Sequence, residues 1–203
     1  MERVQETSAL LMPLRLAEKM RKQYIIDFKE FRLPRKVGNK GRSLHFLLDK
    51  HFRTPPTYVC TWDVHERYMQ NDPSILHVVR EELVNKIDPT KHYAVRSSAN
   101  LEDGKEYSFA GPFKSFLHIP GIEEILRAIE MIMLSTTSPA VQSYLEKTGI
   151  KPHDLRMAVL IQEMVQPKIS GVSFSKNPIT GMDEVLVEAV RGSGEALVQQ
   201  GVN

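Results

Sequence analysis

The stretch AVRSSANLEDGKEYSFAG, Ala94–Gly111, joins an extended segment to a loop of small residues through an arginine, two serines and two acids. Side chains alternate across a strand, so Tyr93 and Val95 share one face while Ala94 and Arg96 share the other. A guanidinium at the mouth of a strand offers five donors in a fixed fork, a match for phosphate oxygens. Ser97 and Ser98 add hydroxyl donors, and Ser108-Phe109-Ala110-Gly111 is a loop that permits close approach. The same residues also suit an ordinary strand end at which Arg96 pairs with Glu102 or Asp103. On chemistry alone both readings stand.

Upstream, Val37-Gly38-Asn39-Lys40-Gly41 places a lysine between glycines at the start of an apolar-periodic segment. The amides and macrodipole of a helix start favour an anion there, although a lysine beside a turn is as readily just solvated. The spacing is not that of the phosphate-binding loop GxxxxGK[ST]. Downstream, alternation puts Gln162 on the face of Ala158, Leu160 and Met164. A carboxamide on an apolar face needs a partner or costs about 1–3 kcal/mol. The edge of an adenine and a neighbouring backbone amide both qualify. Glu188 closes another β-branched run, where it suits a ribose, a magnesium ion or the Gly192-Ser193-Gly194 turn.

Helical spacing of Ala17, Met20, Tyr24, Phe28 and Phe31 predicts a helix from Leu14 to Phe31. Further helices are expected from Lys40 (Leu44, Leu47, Leu48, Phe52), after Asp72-Pro73 (Leu76, Val79, Leu83, Ile87), over Ile122–Ile132, and from Pro139 to a stop at Gly149. Strands are expected at Thr57–Thr61, His92–Val95, Phe113–Ile119, Arg156–Val165, Gly171–Ser175 and Glu184–Ala189. The 203 residues suffice for a sizeable core, and 41% apolar with 26% charged residues is ordinary for a globular chain. A net charge of +2 gives no global field suited to nucleic acid or a membrane surface. The lone Cys60 excludes an intramolecular disulfide, and the seven histidines lack paired zinc spacing. No G-x-S-x-G elbow supports a serine hydrolase. With no apolar run of membrane length and no signal-like start, a cytoplasmic protein is expected.

Ala94–Gly111 resembles the signature AVRSSAxxEDxxxxSFAG of the N-terminal nucleotide-binding domain in the pyruvate phosphate dikinase and phosphoenolpyruvate synthase family. Six further elements follow that family's order. Gly38–Leu44 is similar to GGKGxSL, Pro55–Val59 to PPGFVV, Ile161–Val165 to VQxMV, and Ser170–Phe174 to SGVxF. Asn177–Gly181 is similar to DPxTG, and Glu188–Ala196 to EAxxGxGEA.

The resemblance implies an α+β, ATP-grasp-like nucleotide-binding domain with mixed or antiparallel sheets and packed helices. Residues 1–33 would be an N-terminal helical extension, and 34–203 the N-terminal part of that domain, incomplete at its C-terminus. It implies ATP, with Mg2+ accompanying it. Lys40 and Arg96 would contact phosphates, with Arg96 also catalytic. Gly111 and Ser115 would hold a loop over the phosphates, while Gln162, Glu163 and Val165 would form the adenine side; no residue is assigned to a metal. Pro112 stands where the family usually has Gln, removing a backbone donor from that loop. Asn100 replaces a common threonine. In the family, a phosphoryl group passes from ATP to a histidine on a swivelling phosphohistidine domain, and then to an acceptor held by another domain. Pyruvate, glucan and rifamycin are acceptors in that superfamily, with pyruvate expected here. This chain alone would lack the full reaction. A non-catalytic nucleotide- or partner-binding module is the alternative.

Overall fold

The computed structural model describes residues 22–30, 36–101, 113–195 and 197. The chain divides into two compact units, 1–163 and 164–203. The first is built on a five-stranded sheet, β1 (Ile25–Asp27), β2 (Thr57–Cys60), β5 (Met157–Glu163), β3 (His92–Ala99) and β4 (Ser115–Pro120), in that spatial order. Every neighbouring pair is antiparallel.

Helices cover both faces of the sheet. On one, Tyr93, Val95 and Ala99 of β3 meet Met157, Val159 and Ile161 of β5 in a core closed by α2 (Trp62–Met69), α3 (Ile75–Lys86), α4 (Gly121–Ser135) and α5 (Pro139–Thr148). On the other, Ala158, Leu160, Val59 and Ile26 lie with Val37 and with Leu44 and Leu48 of α1 (Gly38–Asp49). The result is three layers with helices on both sides of an antiparallel sheet.

Local chemistry accounts for most of these elements. α4 buries Ile125, Ala128, Ile129, Ile132 and Met133, one stripe at helical spacing, and carries Glu123 and Glu124 in its first turn where the macrodipole favours them. Each large side chain of that stripe contributes roughly 1.5–3 kcal/mol before entropy is counted. α5 begins at Pro139 behind Ser138, whose hydroxyl accepts the Val141 amide, and ends at the left-handed Gly149 (φ 68). α3 starts at Ile75, after Asp72 has accepted both the amide and the hydroxyl of Ser74.

One expectation is corrected and one element is new. Within the stretch expected to be helical from Leu14 to Phe31, residues Ile25–Asp27 form strand β1, paired with Tyr58–Cys60. Ile25 joins the large core and Ile26 the smaller one, which a strand allows and one helix face does not. The amides of Tyr24 and Ile25 donate to the Glu82 carboxylate at 2.9 and 2.7 Å. Helix α2 was not expected. Its eight residues, WDVHERYM, are too few for a helical period to stand out, and its buried side includes the polar Asp63 and His65.

The second unit contains a hairpin of β6 (Ile169–Phe174) and β7 (Leu186–Arg191), antiparallel with Val172 opposite Glu188. Gly171 is required there, since a Cβ would lie 2.6 Å from the Glu188 carbonyl oxygen. Among the described residues no helix is long and apolar enough to cross a membrane.

Candidate functional site

The α1-side face of the sheet carries three rows of residues, about 7 Å apart along the strands. Thr57, Gln162 and Ala94 stand abreast on β2, β5 and β3. The next row is Val59, Leu160, Arg96 and Ser115. The third is Ala158 and Ser98, against the start of α1. Arg96 and Ser115 are exposed, and Gln162 and Lys40 are half-buried.

Ser115 reaches the face through a β-bulge. Tyr93 pairs with Ile119, but Val95 pairs with Phe116, so one extra residue of β4 is absorbed between them. His118 there has φ 56. Without the shift, Phe116 would stand opposite Arg96; with it, Phe116 packs on the large core and Ser115 takes its place.

Lys40 is set by how α1 starts. Gly38 has φ 69, and a Cβ on it would lie 2.0 Å from the Ser98 carbonyl oxygen, so only glycine permits this contact between helix and strand. The Gly41 amide donates to Ser98 Oγ at 3.0 Å, and that hydroxyl donates to the Val37 carbonyl at 2.6 Å. On the other side, the Trp62 amide donates to Lys36 O at 3.2 Å, and Lys36 and Lys22 both pair with buried Asp63, at 2.6 and 3.0 Å. Burial raises the Asp63 pKa, but the two ammonium groups outweigh it and hold the carboxyl below its ordinary value. The two phosphate candidates, Lys40 and Arg96, therefore sit on elements joined at Ser98.

These facts revise the reading of the two serines. Ser98 spends its proton within the protein, and Ser97, on the alternate face, is buried with its hydroxyl unpartnered among the described residues. Neither serves as the ligand donor expected of them. Glu163 stands opposite Tyr93 on the other face and pairs with Lys91 at 2.5 Å, which raises the Lys91 pKa. Its amide donates to Pro56 O at 2.9 Å. Val165 belongs to the second unit and is exposed. Gly111, Pro112 and the proposed Arg96 partners Glu102 and Asp103 lie outside the described residues. Sequence reasoning missed Ser98 and Thr57 as supports, and it read the close approach at Gly38 as room for a ligand where the structure uses it for the Ser98 carbonyl. No group of three or more His, Cys, Asp or Glu side chains among the described residues is placed to hold a metal ion.

A helix start, a guanidinium and a hydroxyl on one sheet face, with a carboxamide one row away, make this a mixed α/β domain suited to an elongated anionic ligand with a polar head. Residues 73–203 match the family described as pyruvate phosphate dikinase, AMP/ATP-binding domain, and the chain belongs to that family. A probable phosphoenolpyruvate synthase of Methanothermobacter thermautotrophicus is 28% identical over 208 residues, covering 82% of this chain and 30% of that protein. One from Archaeoglobus fulgidus is 36% identical over 107 residues, covering 53% and 14%. A rifampicin phosphotransferase of Streptomyces sviceus is 42% identical over 112 residues, covering 55% and 13%. The chain thus spans less than a third of the length of these relatives.

Proposed function

We propose that the α1-side face is the ATP site of a dikinase-type phosphotransferase and that the motif-bearing residues 34–203 form the N-terminal part of its ATP-grasp-like domain, with β1 joined to the sheet. The observation that carries this reading is the single row holding Arg96 and Ser115, flanked by the Lys40 helix start and, on the other side, by Gln162. A nucleotide laid along β3 would place its base at the Gln162 row and its phosphates at Arg96, Ser115 and Lys40. Arg96 and Lys40 would neutralise charge on the transferring phosphoryl group, a positional and electrostatic contribution. Mg2+ would arrive with ATP, held mainly by phosphate oxygens.

In the intact protein, the phosphoryl group would leave ATP for a histidine nitrogen on a phosphohistidine domain, and from there go to an acceptor on another domain. Pyruvate is the acceptor favoured by the names of the phosphoenolpyruvate synthase relatives. The rifampicin phosphotransferase relative supports a shared ATP part with the acceptor chosen elsewhere. Titrating Mg-ATP into the chain by calorimetry tests the site. Arg96→Ala should weaken binding by about tenfold or more, the loss of one charge-assisted contact. Equal affinity of both proteins would overturn the phosphate role of Arg96.

A further inference from the structure

Resting on that ATP reading, we infer that Thr57 is a positioning residue that fixes the base specificity of the site through Gln162. Thr57 Oγ lies 2.9 Å from the Pro55 carbonyl, which can only accept, so the single hydroxyl proton of Thr57 is committed there. Toward any other neighbour Thr57 Oγ can only accept. The Gln162 amide end that approaches it at 3.0 Å must therefore be the nitrogen. Gln162 Oε1 is turned the opposite way, as an acceptor.

The orientation is held firmly. Thr57 is buried, and it stands directly opposite Gln162 in the β2–β5 register. The segment before it is pinned, since the Glu163 amide donates to Pro56 O at 2.9 Å and the Phe28 amide to Thr57 O at 3.1 Å. A carboxamide free to rotate serves a donor or an acceptor equally well. One locked with its nitrogen on Thr57 presents its oxygen as the outward acceptor, the second N–H staying on the nitrogen beside Thr57. Adenine presents an amino donor at C6, whereas guanine and hypoxanthine present a carbonyl there. Facing Gln162 Oε1, a 6-oxo purine sets two acceptors against each other and leaves both unpaired, the arrangement by which a polar site rejects a near-isostere. The ligand class selected is thus a 6-amino purine nucleotide.

The test compares Mg-ATP with Mg-ITP, which differs in the C6 group, by calorimetry on the wild type, Thr57→Val and Thr57→Ser. Wild type should prefer ATP by about tenfold or more, one hydrogen bond gained against one repulsive contact. Thr57→Val keeps the shape without the hydroxyl, releases the amide and should bring the ATP:ITP ratio to within about threefold of unity. Thr57→Ser keeps the hydroxyl and should restore the preference, a result that loss of stability alone does not produce. A wild type that binds ATP and ITP equally overturns the role of Thr57 while leaving the ATP site standing. So does a Thr57→Val protein that retains the wild-type ratio. A wild type that binds neither nucleotide overturns the site itself, and this inference with it.

Discussion

Gly38→Ala is the substitution whose cost can be worked most directly from the structure. A Cβ at residue 38 would lie 2.0 Å from Ser98 O, 2.5 Å from its carbonyl carbon and 2.5 Å from its Oγ. Relieving the first contact alone moves the start of α1 away from β3 by about 1 Å. The Gly41 amide, now 3.0 Å from Ser98 Oγ, would then pass beyond hydrogen-bond range, and the Val37 contact at 2.6 Å would stretch toward its limit. Holding alanine at φ 69 costs about 1–2 kcal/mol. Crowding and the broken clamp add about 2–3 kcal/mol. The sum, roughly 3–5 kcal/mol, is a large share of the 5–15 kcal/mol typical of a domain, and corresponds to a Tm lower by about 10 °C. Gly149→Ala is the control, since Gly149 has φ 68 but nothing within 4 Å of a Cβ, so it should lose only the conformational part, about 1–2 kcal/mol. Urea denaturation of both variants, with m-values, separates the terms. If the two lose equal stability, the close approach of α1 to β3 is not what requires glycine at 38.

Two further outcomes are expected. His65 is buried and donates from Nε2 to Thr136 Oγ at 3.1 Å, because that hydroxyl gives its proton to Met133 O. Burial pushes its pKa down from 6.5 to about 4, so between those values the unfolded chain binds the proton that the native chain refuses. This part of the stability is complete above about pH 6.5 and declines as pH falls toward 4, by on the order of 3 kcal/mol. His65→Gln should flatten that segment of a urea-stability profile, and an unchanged slope would refute it. At the bulge, His118→Val should be less stable than His118→Gly by about 1–2 kcal/mol, because φ 56 is hostile to a β-branched side chain. Equal thermal stability of the two variants would show that the bulge does not depend on that dihedral.

What could be foreseen from the sequence divides along the range of the forces involved. Period-two alternation put Tyr93 and Val95 on one face and Arg96 on the other, because a strand leaves no other choice, and the structure makes the first face the large core. Pro139 and Gly149 bounded α5 for equally local reasons. The resemblance named Lys40, Arg96, Ser115 and Gln162 as candidates without showing that β3, β4 and β5 place the last three abreast or one row apart. Non-local pairing decided the failures. Tyr24 and Phe28 have helical spacing, yet the two isoleucines between them are divided between cores that only the completed sheet creates. Ser98 looked like a ligand donor because its partners, Val37 and Gly41, are separated from it by about 60 positions of chain.

The bulge shows why the signature motif does not by itself build the face. A chain could keep Arg96-Ser97-Ser98 unaltered, pair β4 without the extra residue, and present Phe116 to the guanidinium while turning Ser115 toward the core. The α1-side face would then lose a hydroxyl and gain an aromatic ring, with the motif intact. Likewise, Lys40 belongs to the face only because Gly38 lets α1 rest on the Ser98 carbonyl. Both conditions lie outside the chemistry of the groups proposed to touch phosphate. They act on registration, of strand against strand and of helix against strand. Substitutions at Gly38 and His118 should therefore alter phosphate-dependent affinity more than affinity for the base, since the Thr57–Gln162 row is on the far side of Arg96 from α1 and is paired through β2 and β5 instead.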